Sequence, residues 1–191
     1  MRTIIDILRK GNQELFHTSM ISWFLDPKAE HGFATQFIRE FAVLLDKKGC
    51  PSLINEVGQS NPTIRSEATS YKRRYDIVIR TNDSTYIIEN KTKSIGGLPQ
   101  FKQYEGDNVH LIALGLCDVS FSPEVAQDYP LVTYADILNI LDRIKITNAA
   151  NDFDVLVRHY RDYLRRELQL LNHIDSYYSR PNLPANDKIL E

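Results

Sequence analysis

The sequence has few cysteines and no long apolar run, and each of these absences argues against a class of protein. Cys50 and Cys117 lie far apart and match no CxxC or cysteine–histidine spacing. This usage is typical of a reducing compartment and argues against a disulfide framework or a structural zinc site. No stretch approaches the roughly 18 consecutive apolar residues that a membrane span requires. We therefore expect a soluble, cytoplasmic protein that does not enter a membrane.

A surplus of charge of one sign is also lacking. The 23 lysines and arginines nearly balance the 25 aspartates and glutamates, which gives a formal net charge of −2. This balance excludes a uniformly basic surface for nucleic acid. It leaves a local basic groove open, because an acidic metal site elsewhere in the chain would hide such a groove in the total.

The length and composition are those of one ordinary folded domain. A chain of 191 residues, 42% of them hydrophobic, can bury roughly 70% of its unfolded surface in one core. We expect a single domain over residues 1–176. The segment 177–191 is rich in proline and asparagine, and we expect it to form a flexible C-terminal tail.

Hydrophobic periodicity changes along the chain from helical to strand-like. Apolar residues recur at helical spacing over Glu14–Leu25 and Phe33–Lys47. Tyr75–Arg80 and Thr85–Glu89 are β-branched and aromatic runs that a short polar turn joins as a hairpin. Val109–Leu116 is an apolar run typical of a strand covered on both faces. This order predicts an α/β fold with a mixed central sheet flanked by helices and a helical layer at the N-terminus.

Charged side chains occur in the hairpin where apolar ones are expected. Asp76 opens one predicted strand, and Glu89 and Lys91 end its partner, two positions apart and so on one face. Two carboxylates and a lysine suit a hard divalent cation and an attacking water. A surface ion pair between Lys91 and a carboxylate explains the same pattern, and the spacing alone leaves both interpretations open.

Asp76 followed by Glu89-Asn90-Lys91 resembles the D…(D/E)xK signature of the PD-(D/E)xK nuclease superfamily, whose members have the restriction-endonuclease-like fold. Gln100 and Tyr104 have the QxxxY spacing that follows the lysine in RecB-like members. The proline in the superfamily's name is absent here, because Tyr75 precedes Asp76.

The beginning of the chain carries a second part of the resemblance. The run ELFHTSMISWFLDP at Glu14–Pro27, followed by EHGF at residues 30–33, is similar to the opening of an uncharacterised bacterial and phage branch of the superfamily. Arg74, directly before Tyr75 and Asp76, also fits that branch. The resemblance spans residues 14–134.

The resemblance implies a magnesium-dependent nuclease that hydrolyses phosphodiester bonds of DNA, with RNA as a second substrate and Mn²⁺ as a second metal. The implied metal ligands are Asp76, Glu89, the backbone carbonyl of Asn90, and Glu14. Lys91 would orient the attacking water and stabilise charge on the scissile phosphate. Gln100 and Tyr104, one helical turn apart, would contact that lysine or a substrate phosphate.

Basic side chains near the site are the expected contacts to a nucleic-acid backbone. They are Lys72, Arg73, Arg74, Lys93 and Lys102. A solvated charge run explains the first three equally well. Glu67 is a weaker candidate for a supporting acid, and an exposed strand glutamate is the preferred interpretation. His17 and His31 are weaker candidates for substrate contacts, and a capping or core role is preferred for each.

Three functional hypotheses follow from these residues. The first is the metal-dependent nuclease. The second is a catalytically silent module of the same fold that binds nucleic acid or protein, and the third is a nuclease that a partner or small ligand activates. The last predicted helix carries an apolar stripe that includes Tyr160 and Leu164. This stripe fits either scaffold packing or a dimer face, so a homodimer or a partner protein stays open.

Overall fold

The computed structural model describes residues 3–8, 10, 11, 13–33, 35–59, 61–70, 73–92, 94–104, 106–144 and 152–178, with the backbone alone for residues 52, 68–70, 73 and 175–178. Lys72 and Lys93, two of the predicted nucleic-acid contacts, lie outside the described residues. The same holds for the side chain of Arg73 and for residues 179–191 of the predicted tail.

The strands of the described residues form one sheet in the order β1-β2-β3-β4-β5. They are β1 (Thr63–Ser70), β2 (Arg73–Arg80), β3 (Thr85–Lys91), β4 (Val109–Gly115) and β5 (Leu131–Thr133). β2 is antiparallel to both β1 and β3, whereas β4 is parallel to both β3 and β5. The predicted hairpin is confirmed, with Ile77 opposite Ile88 and Arg80 opposite Thr85.

Helices precede the sheet, connect its parallel strands and follow it. They are α1 (Ile4–Ile7), α2 (Glu14–Leu25), α3 (Gln36–Lys47), α4 (Ser52–Val57), α5 (Leu98–Lys102), α6 (Pro123–Asp128), α7 (Tyr134–Arg143) and α8 (Asp152–Tyr178), with a 3-10 helix at Asp118–Ser120 before α6. The α-helices α1 and α7 begin with capping boxes, Thr3 with Asp6 at α1 and Thr133 with Asp136 at α7. Each box satisfies backbone N–H groups that a helix start leaves without partners.

Both faces of the sheet are covered, and strand alternation decides which residues meet which helices. Ile77 and Ile88 are fully buried in the large core that α2, α3, α7 and α8 share. Val78 and Ile87, one position out of phase, pack with Phe101 of α5 in a smaller cluster that α6 also joins. The architecture is therefore the mixed α/β sheet flanked by helices that the sequence predicts.

Several element ends differ from the sequence-based expectation. β2 begins at Arg73, so Asp76 lies inside that strand rather than at its start. α3 begins at Gln36 instead of Phe33, and α8 continues to Tyr178, two residues into the predicted tail. Helices α4 and α6 were not predicted, because their six residues each show too little of the helical period.

The long helix α8 packs against the rest of the molecule. Tyr160 and Leu164 are buried in the large core, which supports a scaffold role for its apolar stripe. Among the described helices, none has the length and apolar character needed to cross a membrane.

Candidate active site

The charged side chains of the hairpin lie on the sheet face that α5 and α6 cover. Asp76 has the phase of Val78, and Glu89 and Lys91 have the phase of Ile87. These side chains line one cleft of about 390 Å³. The residues that line it are Glu14, Leu15, Thr18, Glu67, Arg74, Asp76, Glu89, Lys91 and Gln100. The structure thus brings the three predicted carboxylate ligands and the lysine together.

Glu89 is the most deeply buried of these charged groups, with only 2% of its surface exposed. Its Oε1 accepts hydrogen bonds from Lys91 Nζ and from Gln100 Nε2, the latter at 2.5 Å. Its Oε2 is buried and has no hydrogen-bond partner among the described residues. Because a buried carboxylate oxygen without a partner is unfavourable, Oε2 is a ready ligand for a cation.

Asp76 is held next to Glu89 by the neighbouring strand. The Asn90 backbone N–H donates to Asp76 Oδ2 at 2.8 Å. Burial raises the pKa of Asp76 above its ordinary value. Burial and the nearby charge of Asp76 raise the pKa of Glu89 to about 7. A buried and a half-buried carboxylate that oppose each other's ionisation are stabilised by a cation that both can bind.

Lys91 supplies positive charge at the carboxyl end of β3, with 13% of its side chain exposed. Its Nζ pairs with Glu89 and lies 3.7 Å from Glu14 Oε1. Burial acts to lower the pKa of Lys91. The hydrogen bond to Glu89 and the surrounding carboxylates nevertheless raise that pKa above its ordinary value. Lys91 is therefore an ammonium cation in the cleft rather than a neutral base.

Glu14 reaches the cleft from the first turn of α2. Its Oε2 accepts a hydrogen bond of 3.0 Å from the backbone N–H of Thr92, the residue after β3. This bond ties the start of α2 to the strand end that carries Lys91. Glu14 therefore contacts both the strand end and the lysine of the cleft.

Gln100 and Tyr104 lie on and just after α5, and their contacts to a substrate phosphate stay a prediction. Gln100 binds the carboxylate of Glu89 rather than the lysine, and its Nε2 also lies 3.4 Å from the Tyr104 hydroxyl. That hydroxyl donates to the backbone carbonyl of Arg74 at 3.1 Å. The pair thus links Glu89 on β3 to the backbone of β2.

Asn90 points to the other side of the sheet from Glu89 and Lys91. Its Nδ2 donates to Thr18 Oγ1 at 3.0 Å, and its Oδ1 accepts from the Tyr134 hydroxyl at 2.9 Å. The sequence indicated a role for its backbone carbonyl alone. The side chain fixes β3 to α2 and α7, and so fixes the two charged residues on either side of it.

Glu67 and Arg74 form an ion pair at the edge of the cleft. The preferred expectation for Glu67, an exposed strand glutamate, is wrong, because 27% of its side chain is exposed and it lines the cleft. Its backbone has a φ of 53°, which no composition or periodicity signal indicates. Arg74 is 65% exposed. Lys102 is exposed on α5 and does not line the cleft.

His17 and His31 are buried away from the cleft, with 3% and 1% exposure. His17 Nδ1 lies 2.9 Å from the Tyr160 hydroxyl of α8, and its Nε2 lies 2.8 Å from the Gly11 carbonyl. The Nδ1 of His31 accepts from the Phe33 backbone N–H at 3.0 Å. Both are core residues, as the preferred interpretation of the sequence has it.

A family model described as the PD-(D/E)XK nuclease superfamily matches residues 3–162. The chain belongs to this superfamily. The matched range includes every residue that lines the cleft, and the mixed sheet flanked by helices is consistent with a restriction-endonuclease-like fold. No curated protein and no solved structure matches the chain. The RecB-like character of QxxxY and the bacterial and phage branch stay predictions.

PD-(D/E)XK nucleases typically use divalent metals, and the donor set of this member fits such an ion. Asp76 and Glu89 offer carboxylate oxygens, the ligands that Mg²⁺ prefers, and Glu89 Oε2 is buried without a partner. No group of three His, Cys, Asp or Glu side chains in the described ranges is arranged to hold a metal by itself. A cation would therefore complete its shell with the Asn90 carbonyl, water or substrate, as Mg²⁺ commonly does.

Proposed function

We propose that this chain is a metal-dependent nuclease that hydrolyses phosphodiester bonds in DNA, with RNA as the second substrate to test. The observation that carries the proposal is the state of Glu89. One of its oxygens is held by Lys91 and Gln100, and the other is buried without a hydrogen-bond donor among the described residues. Asp76 lies close enough for its charge to raise the pKa of Glu89. A purely structural ion pair requires neither a second, half-buried acid nor a buried oxygen without a donor.

The predicted site residues that line the cleft have contacts that support a role in the reaction. Asp76, Glu89 and the Asn90 carbonyl would hold Mg²⁺ or Mn²⁺, and Glu14 would contribute as a further metal ligand through a bound water. An ion bound there would act as a Lewis acid, which offsets negative charge on the scissile phosphate and activates water. Lys91 adds a second positive charge, with its ammonium group held in the cleft between Glu89 and Glu14.

The remaining site residues act as positioning groups. Gln100 holds the Glu89 carboxylate in one orientation, because its amide donates to Oε1. Tyr104 fixes the backbone of β2 two residues before Asp76, at Arg74. Arg74, at the solvent edge of the cleft, would contact the nucleic-acid backbone, and we assign the same role to Lys72, Arg73, Lys93 and Lys102.

Cleavage assays test this proposal. Single-stranded and double-stranded DNA and RNA are incubated with Mg²⁺ or Mn²⁺ and the wild-type protein, Glu89→Gln or Lys91→Ala. We expect cleavage of at least one substrate by the wild type and a loss of about 100-fold or more in each variant. Asp83→Asn, which changes an exposed acid in the β2–β3 turn, should retain wild-type activity. Cleavage that survives both site variants contradicts the proposal.

The silent binding module is the second candidate. The observation in its favour is that Lys91 already offsets part of the charge of Glu89 and Glu14 within the protein. Calorimetry separates the two candidates. Binding of Mn²⁺ that Asp76→Asn abolishes favours the nuclease, and absence of binding at millimolar metal favours the module.

A further inference from the structure

The pairing of β1 with β2 is interrupted at one position beside the cleft. Ser66 pairs with Ile77 and Ala68 with Tyr75. The same register puts Glu67 opposite Asp76, yet these two residues form no ladder pair. Because the register continues unchanged on both sides, the interruption is a local turn of the backbone rather than an inserted residue.

Glu67 has a left-handed backbone at this interruption, with a φ of 53°. A glutamate adopts that region rarely, because its Cβ crowds the neighbouring carbonyl. Backbone strain of this kind persists only where surrounding contacts compensate for it, and it is concentrated at functional sites. The contact that Glu67 makes here is the ion pair with Arg74.

Arg74 is the cleft cation that an incoming anion meets first. It is 65% exposed, whereas Lys91 is 13% exposed and paired with two carboxylates. Arg74 and Asp76 are two positions apart on β2, so they share the face that borders the cleft. A phosphate that approaches the acids therefore passes the guanidinium, which Glu67 already holds.

The backbone of Arg74 is held independently of its side chain. The Tyr104 hydroxyl donates to the Arg74 carbonyl at 3.1 Å, and Gln100 connects that hydroxyl to Glu89. The guanidinium can therefore exchange one anionic partner for another while β2 stays in place.

We propose that Glu67 is a substrate-displaced gate: its carboxylate holds Arg74 at the cleft edge in the free protein, and a backbone phosphate of the nucleic acid replaces it. This inference rests on the proposed function, because it takes nucleic acid as the ligand. Glu67 is a positioning residue that acts through Arg74. With this gate, only an anion that competes with the Glu67 carboxylate for the Arg74 guanidinium enters the cleft.

Binding measured without cleavage tests the gate. Fluorescence anisotropy follows a labelled single-stranded and a labelled double-stranded DNA oligonucleotide in EDTA at about 50 mM salt, where phosphate contacts are strong. The proteins are wild type, Glu67→Gln, Arg74→Ala and the double variant. Asp83→Asn is the matched control, because it removes one negative charge from the far end of the β2–β3 hairpin.

We expect Glu67→Gln to lower the Kd about three- to fivefold, the scale of an exposed ion pair, and Arg74→Ala to raise it. In the Arg74→Ala background, Glu67→Gln should change the Kd by less than about 1.5-fold. An equal gain in both backgrounds, a similar gain in Asp83→Asn, or no change in Glu67→Gln overturns the gate. Absence of DNA binding by every protein also overturns it.

The two proposals fail separately. Metal-dependent cleavage that needs Lys91, together with no effect of Glu67→Gln on the Kd, removes the gate and leaves the nuclease. If Glu67→Gln lowers the Kd only when Arg74 is present and the protein cleaves no substrate, the gate is retained and the chain is a binding module. A thermal melt of each variant in the same buffer excludes unfolding as the cause of any change.

Discussion

At the scale of single residues, the cleft depends on close packing around Lys91. A Cβ at Gly96 would lie 2.4 Å from Cδ1 of Phe121 and 3.3 Å from Cγ of Lys91. The neighbouring Gly97 has room for a side chain, because a Cβ there would lie 3.5 Å from its nearest atom, Cδ of Pro99. The alkyl part of the site lysine is thus supported by a backbone that accepts no side chain.

This packing predicts different effects for two adjacent glycines. Gly96→Ala should lower the free energy of unfolding by about 1–3 kcal/mol, because the new methyl group overlaps the Phe121 ring. Gly97→Ala should change it by less than about 0.5 kcal/mol. Urea unfolding of both variants measures the difference, and equal stabilities would show that the Gly96 contact is not tight.

A buried hydrogen bond behind the cleft gives a second prediction. Tyr134→Phe removes the donor to Asn90 Oδ1 and should destabilise the fold by about 1–3 kcal/mol, because the amide oxygen is left buried. Tyr75→Phe is the matched control, since it keeps the ring contact with Tyr104. The free energy of unfolding in urea is the measurement. A Tyr134→Phe variant as stable as the control contradicts this account of Asn90.

The sequence predicts the residues of the site better than their partners. Asp76, Glu89 and Lys91 follow from charge in an apolar hairpin, and the structure brings them into one cleft. The Gln100–Glu89 contact was not predictable, because it depends on how α5 lies over the sheet. The sequence did not predict that Glu67 lines the cleft, because its left-handed φ arises where the strand pairing is interrupted. A glutamate in the sequence gives no local signal for that conformation.

At the scale of elements, α2 is tied to α8 by a buried histidine. His17 of α2 lies between the Gly11 carbonyl and the Tyr160 hydroxyl of α8. Burial lowers its pKa below the ordinary 6.5, and outweighs the hydrogen bond to Gly11 and the charge of Glu14. The folded protein therefore takes up this proton less readily than the unfolded chain does.

The lowered pKa predicts a stability that depends on pH. The contribution of neutral His17 is complete above pH 6.5 and is lost as pH falls from there towards the lower pKa of the folded state. Urea unfolding at pH 7.5 and 5.5 should show that wild type loses up to about 1.4 kcal/mol more than His17→Gln. The contribution of His31 to the pH dependence is the same in both proteins and cancels in the comparison. Equal losses contradict the assignment.

A helix or strand is easier to predict when it is long and when its apolar and polar residues alternate clearly. Glu14–Leu25 was predicted with the ends it has, because a first-turn acid and Asp26-Pro27 mark them. The strands β2 to β4 were found from β-branched runs. The QxxxY spacing places Gln100 and Tyr104 one helical turn apart, whereas α5 begins at Leu98, with Pro99 in its first turn, and ends before Tyr104.

At the scale of the whole molecule, a net charge of −2 is compatible with a site for anions. Four of the acids lie in the cleft itself, namely Glu14, Glu67, Asp76 and Glu89. Lys91 and Arg74 offset part of that charge. A bound divalent cation would offset more and would favour the folded state, because it binds folded protein more tightly than unfolded chain.

Metal should therefore stabilise the whole fold. At Mn²⁺ about tenfold above its Kd, the gain is about 1.4 kcal/mol, or a Tm increase of about 3–6 °C for a chain of this size. Thermal melts with and without Mn²⁺ should show this increase in wild type and in Asp83→Asn. Asp76→Asn and Glu89→Gln should show none. An equal increase in all four proteins would place the metal elsewhere.

The central claim is that Asp76 and Glu89 bind one divalent cation together. A crystal structure with Mn²⁺, analysed by anomalous diffraction at the manganese edge, tests this most directly. We expect one strong anomalous peak in the cleft, within bonding distance of Glu89 Oε2 and a carboxylate oxygen of Asp76. A map with no peak there, or carboxylates too far apart to share the ion, contradicts it.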